Sequence, residues 1–256
     1  MGVAPASASP TMTVAVHGVH TPHPWLDEVV AAHDLDEDLY SLAVKRALAY
    51  GWSTTLLGAG ALDGERWGFA DAGGDWSRDG KERRLAWLTG YPAVGLRSQL
   101  LPVLPMARVL ADALARVGDL RFTRLATRLP LGLAPDARFA LRSDADWYAL
   151  SAPSAATRVT VETTPGEPVD PQELRALVTA RAHRVLRVED PEPVGEGGAV
   201  DPVGEGGPRR VVFTAVAPEW TVDAGAWITL VVSDALRALG ARSTAEIEVG
   251  RVAPER

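Results

Sequence analysis

Four of the five histidines, His17, His20, His23 and His33, lie near the start of the chain, and three of them follow one another at three-residue spacing in HGVHTPH. Imidazole titrates near neutrality and binds zinc well, so such a cluster at the end of a strand points to proton transfer or to a metal. Neither a strand nor a helix at the usual spacing would aim two of these rings at one ion, and Pro22 and Pro24 make the segment irregular. The chemistry expected of His17, His20 and His23 is therefore acid–base work, with no metal. The plainer alternative is an exposed loop.

A second group of candidates is aromatic and basic. Eight tryptophans stand against four phenylalanines, and Trp52, Trp67, Trp76 and Trp87 fall in one stretch. Aromatic side chains bury large areas and also line partner surfaces. Trp67 and Trp87, at strand-like positions, read as core, whereas Trp76, between Asp75 and Ser77 in the polar GGDWSRDGKERR, reads as exposed and available for contact. Arg83 and Arg84 close that basic run, so Trp76, Trp87, Arg83 and Arg84 are the candidate binding residues. Arg121, Arg124 and Arg128 recur along a later strand, and Glu162, Asp223 and Asp234 offer carboxylates that nothing in the sequence pairs.

Composition removes several classes of chemistry. Without cysteine there is no disulfide, thiolate metal site, iron–sulfur cluster or thiol nucleophile. A formal charge of -7 argues against a general nucleic-acid or anionic-membrane binder. The start, Met1 to Pro10, has neither the basic nor the apolar region of a signal peptide, and no apolar run reaches membrane-spanning length, so the cytoplasm is the expected location. The repeat of PVGEGG, with its valines at residues 194 and 203, could be a phosphate cradle, but its glutamates would repel phosphate and no helix follows directly. It reads as a flexible loop, and no cofactor is expected. His17-Gly18 with Trp25 resembles the oxyanion loop of α/β-hydrolases, but those enzymes need a G-x-S-x-G elbow, and Ser98 in GLRSQ is the nearest miss.

The elements that must position these groups are legible in part. Ala224, Trp227, Ile228, Val231, Val232, Ala235, Leu236 and Leu239 make one broad apolar helical face, between a buried strand at Val211 to Ala217 and an alternating one at Thr244 to Val249. Thr11 to Val16 reads as a strand that the prolines of VHTPHPW then stop. Trp25 to Tyr50 is mostly helical with a break or helix start at the acidic residues 34–38, and Val103 to Val117 is a second clear helix. Trp52 to Gly58 and Arg66 to Ala70 read as a hairpin about Asp63-Gly64. Leu120 to Leu129 reads as a mixed-face strand, and Asp170-Pro171 as the N-cap and first residue of another helix.

In order, these give an α+β protein of two tandem ferredoxin-like (βαββαβ) halves packed as a pseudo-dimer, whose sheets could meet by their open faces. The alternative is a single mixed sheet with helices on one face. The expected organisation is a disordered tail at 1–10, a first half at 11–130 with a Trp-rich insertion at 72–101, a Pro-containing junction at 131–153, and a second half at 154–253 with a Gly/Pro/Glu loop at 191–208. Fold alone does not license function. The leading expectation is an accessory binding or assembly module that recognises a partner protein or small molecule through the Trp-rich segment. The competing one is a cofactor-independent cyclase, isomerase or lyase with a histidine acid–base group. RNA binding ranks third.

Overall fold

The computed structural model describes residues 10–33, 38–54, 67–92, 101–133, 155–167, 169–182, 185–189 and 209–252. Nine strands form one sheet: β1 (Met12–Pro22), β2 (Ser53–Thr54), β3 (Trp67–Gly74), β4 (Arg83–Pro92), β5 (Gly118–Pro130), β6 (Ala155–Thr163), β7 (Arg187–Val188), β8 (Arg209–Ala217) and β9 (Thr244–Arg251). The order across it is β2-β3-β4-β1-β5-β9-β6-β8-β7, antiparallel throughout except for the two-residue β2, which runs parallel to β3. The sheet passes unbroken through the middle of the sequence because β5 pairs with β9 from Arg124↔Gly250 to Pro130↔Thr244. The single mixed sheet is thus the arrangement adopted, and no two sheets meet face to face among the described residues.

Five helices are described: α1 (Trp25–His33), α2 (Leu39–Ala49), α3 (Val103–Val117), α4 (Pro171–Arg181) and α5 (Val222–Ala238). Their starts are set by side chains that satisfy the orphan N–H groups of a first turn. Asp38 accepts from the Ser41 amide at 2.8 Å, Asp170 from the Gln172 and Glu173 amides at 2.8 and 2.9 Å, and Thr221 from the Ala224 amide at 3.1 Å. Helix α3 packs on β1 and β5, and α5 on β5 and β9, while α2, α3, α5 and α4 touch in that order. They form one layer on one side of the sheet, and a single apolar core lies beneath it. Across that layer Arg108 grips Asp223, with Nε 2.9 Å from Oδ1 and Nη2 2.5 Å from Oδ2, and the Trp220 indole donates to the Phe122 carbonyl at 3.0 Å while stacking on the Phe122 ring. No helix among the described residues is long and apolar enough to cross a membrane.

Three expectations need correction. Strand β1 does not stop at Val16 but runs to Pro22, because the prolines fall at its end, where Pro22 faces Gly118 and a missing N–H interrupts little. The residues read as a hairpin at 52–70 are parallel partners, Ser53↔Trp67 and Thr54↔Gly68, which a tight turn cannot join. The stretch read as an insertion at 72–101 contributes, in its described part, the end of β3 and all of β4, a strand flanked on both sides. The Asp63-Gly64 turn, the 191–208 loop, the tail at 1–9 and the junction from 134 on lie outside the described residues.

Candidate functional site

Strands place successive side chains on opposite faces of a sheet. On β1, Met12, Val14 and Val16 enter the core, which leaves Thr13, Ala15 and His17 on the side away from the helices. On β5, Leu125 and Leu129 are core, and Arg124, Ala126 and Arg128 face outward; on β9, Ala245, Ile247 and Val249 are core, and Glu246 and Glu248 face outward. Strand β6 adds Thr160 and Glu162, β8 adds Arg210, and β4 adds Arg84, Trp87 and Thr89. All of these outward-facing residues but Arg124, Trp87 and Thr89, which stand beside it, line a basin of ≈ 410 Å³ on the open face, with Thr13, Ala15, Ala126 and Thr160 as its small floor residues.

Charge is ordered across this surface. Glu162 and Glu246 lie directly opposite each other on β6 and β9. Each has an arginine on its outer side, Arg210 at 3.4 Å and Arg128 at 3.9 Å. The sequence across four strands is therefore Arg, Glu, Glu, Arg. Such exposed pairs contribute about 0–1 kcal/mol each, so they leave the carboxylates available to a ligand. Four residues further along the strands, Arg124 donates to Glu248 at 3.1 Å and to His17 Nδ1 at 2.9 Å. Arg84 lies over the Trp87 ring at 5.5 Å, and the indole rests against Gly73, where any Cβ would come within 2.8 Å of it. No carboxylate pairs with Arg84 among the described residues.

The protonation state of His17 follows from its neighbours. Burial, then the positive charges of Arg124 and Arg84, lower its pKa to about 4 against the weaker opposing pull of Glu248 and Glu82. The ring is neutral at neutral pH. A guanidinium can only donate, so Nδ1 accepts and the ring proton sits on Nε2. His17 thus offers an N–H donor rather than a free base. An unfolded histidine titrates near 6.5, so between pH 6.5 and 4 the unfolded chain binds a proton that the folded one refuses. Stability falls across that window as the solution is acidified, by on the order of 1–2 kcal/mol after discounting for the ring's residual water contact. His17→Asn, which keeps an acceptor for Arg124, is expected to flatten this part of the curve of urea midpoint against pH. An unchanged slope would show that His17 titrates normally.

The three candidate histidines do not converge. His20 is three residues from His17 on the same strand and so points to the opposite face, where it is 3% exposed. Its Nε2 lies 3.2 Å from the Leu114 carbonyl, its Nδ1 has no partner among the described residues, and its ring is 6.0 Å from that of Trp76. Burial lowers its pKa more than the Leu114 carbonyl raises it. His23 lies past the end of β1 and stacks on Trp25 at 5.8 Å. Among the described residues no three His, Asp or Glu side chains are placed to hold a metal.

The binding candidates divide similarly. Trp76 is half-buried rather than exposed: its indole donates to the Leu85 carbonyl at 3.1 Å and packs on the core, since the loop folds back over the end of the sheet. Arg83 is held within the same loop by Asp75 at 3.0 Å and by Asp79. Trp87 and Arg84 alone of the four reach the basin side. The residues that the sequence did not bring together, Thr13, Arg128, Glu162, Arg210, Glu246 and Glu248, share one signal, a polar residue next to an apolar core position of its own strand. Comparisons with protein-family models, with curated proteins and with solved structures give no match.

Proposed function

We propose that this chain is a binding module of two tandem ferredoxin-like units joined edge to edge, with the open sheet face as its recognition surface. The strand order supports the tandem reading. Strands β5-β1-β4-β3 in the first half and β9-β6-β8-β7 in the second follow one scheme, in which the fourth strand of each unit lies beside its first and the two fourth strands pair with each other. The observation that carries the functional reading is the basin itself. A sheet face left uncovered by the helix layer carries three arginines and three glutamates around a floor of small residues, a concave site with a few convergent polar groups. Its ligand is a small molecule or a short segment of a partner, bound beside Trp87 and Arg84.

Two other functions fit less well. A histidine acid–base enzyme needs a ring that exchanges protons in the site, whereas His17 has its acceptor nitrogen occupied and His20 lies under the helices. RNA would bring phosphates against Glu162, Glu246 and Glu248.

The test is a variant that fills the basin. Ala126→Trp is expected to keep the thermal midpoint of the parent and to lose the ligands that the parent retains when a defined pool of small molecules and short peptides is passed over it and read by mass spectrometry. The reading is overturned if both proteins retain the same set, or if the parent retains none.

A further inference from the structure

The chemistry of the two ends of the basin specifies a ligand more narrowly. This step rests on the open face being the recognition surface. At one end, Arg84 has no carboxylate partner among the described residues, and His17, its neighbour across β1 and β4, presents an Nε2–H donor because Arg124 occupies Nδ1. A guanidinium and a neutral N–H donor side by side are complementary to a carboxylate. At the other end, Glu162 and Glu246 stand opposed, their arginines lie on the outer sides, and nothing cationic is placed between them among the described residues. Like charges directly opposite on neighbouring strands destabilise each other, and an ammonium between them relieves that repulsion.

We propose that the basin binds a short extended peptide with free ends, its terminal carboxylate at His17 and Arg84 and its terminal ammonium at Glu162 and Glu246. The span is consistent with this. The two rows are four residues apart along the strands, about 13 Å at about 3.3 Å per residue. From the middle of one pair to the middle of the other they are also three strands apart sideways, about 14 Å at about 4.8 Å per strand. The diagonal is roughly 20 Å, which an extended chain of about six residues covers at about 3.3–3.6 Å each. Ala15 and Ala126 lie side by side between the two ends as a small floor for an extended chain, with the hydroxyls of Thr13 and Thr160 at its margins. The lining carries equal numbers of arginines and glutamates, which suits a ligand with one charge of each sign and disfavours a polyanion.

Hexa-alanine with free ends, its N-acetyl form and its C-terminal amide can be titrated into the isotope-labelled full chain and followed by backbone amide shifts. The expected result is binding of the free form with shifts at Ala15, Ala126 and Thr160, weakened about tenfold or more by blocking either end. Glu162→Gln with Glu246→Gln is expected to abolish the effect of acetylation alone, and Arg84→Met that of amidation alone. Equal affinity of the three forms at the open face overturns the assignment of the ends while leaving the surface itself standing. Shifts confined to other regions, or none with any form, also overturn it, and the basin-filling variant then decides separately whether the open face binds anything.

Discussion

Asp234→Ala is expected to lower folding stability by about 3–5 kcal/mol, more than any other single change at a charged residue of this protein. Asp234 is 1% exposed on α5, ion-paired with Arg181 of α4 and 3.6 Å from Arg237, which is itself 3% exposed. Removing the carboxylate leaves a buried guanidinium without a counter-charge among the described residues, where two of its nitrogens, Nε and Nη1, already lack a hydrogen-bond partner. Burial raises the Asp234 pKa and lowers that of Arg237 in spite of their attraction, so desolvation outweighs pairing for both. The cluster is therefore costly to break but contributes little net stability. The double change Asp234→Leu with Arg237→Met is accordingly expected to cost far less than Asp234→Ala, because it removes both fully buried charges at once and leaves only Arg181, whose side chain is 21% exposed, to turn to water. Urea midpoints at constant slope separate these outcomes. A loss below about 1 kcal/mol in Asp234→Ala would mean that Arg237 finds water on its own.

The same helix shows what periodicity reveals and what it leaves out. The apolar face from Ala224 to Leu236 was legible because residues at i, i+3, i+4 and i+7 share a side. The structure also buries Thr229, Ser233 and Asp234 on the other sides, and the two hydroxyls turn back onto the Gly225 and Leu230 carbonyls at 2.9 Å. Burial against neighbouring helices of the same layer, here α3 and α4, leaves no periodic trace when the contacts are made by small polar residues. The cap at Asp170-Pro171 was legible since both residues act within one turn, whereas the parallel pairing of β2 with β3 was not, since parallel register depends on a distant crossover. For the site, alternation exposed Glu246, Glu248, Arg124 and Arg128 one strand at a time. It could not say that β9, β5 and β1 are neighbours, which puts Arg124 beside His17 across 107 positions of sequence. The histidine cluster misled for a local reason: three-residue spacing in a strand sends His17 and His20 to opposite faces, and the prolines hid the strand.

Gly18→Ala is expected to lose about 1–3 kcal/mol and to disturb the site as well as the fold. Strand β1 changes register against β5 between His17 and Gly18, and β5 approaches so closely there that a Cβ on residue 18 would lie 2.3 Å from the Arg121 carbonyl oxygen. The other atoms it would meet, the Arg121 carbonyl carbon at 3.1 Å and the Phe122 Cα at 3.3 Å, are also backbone, so no rotamer change can relieve the clash. Strand β5 must move away, and Arg124, two residues beyond Phe122, moves with it. Losing the Arg124 guanidinium from Nδ1 removes the second largest cause of the low His17 pKa, so the His17 titration shifts upward toward its ordinary range. The acid sensitivity between pH 6.5 and 4 shrinks accordingly. Gly250→Ala is the control, because a Cβ there meets nothing closer than 3.8 Å on the same open face. Urea midpoints and the pH titration of the His17 ring protons test both parts. If Gly18→Ala were no more costly than Gly250→Ala, or lost stability with the His17 titration unmoved, the close approach of β5 would not be what holds His17 neutral.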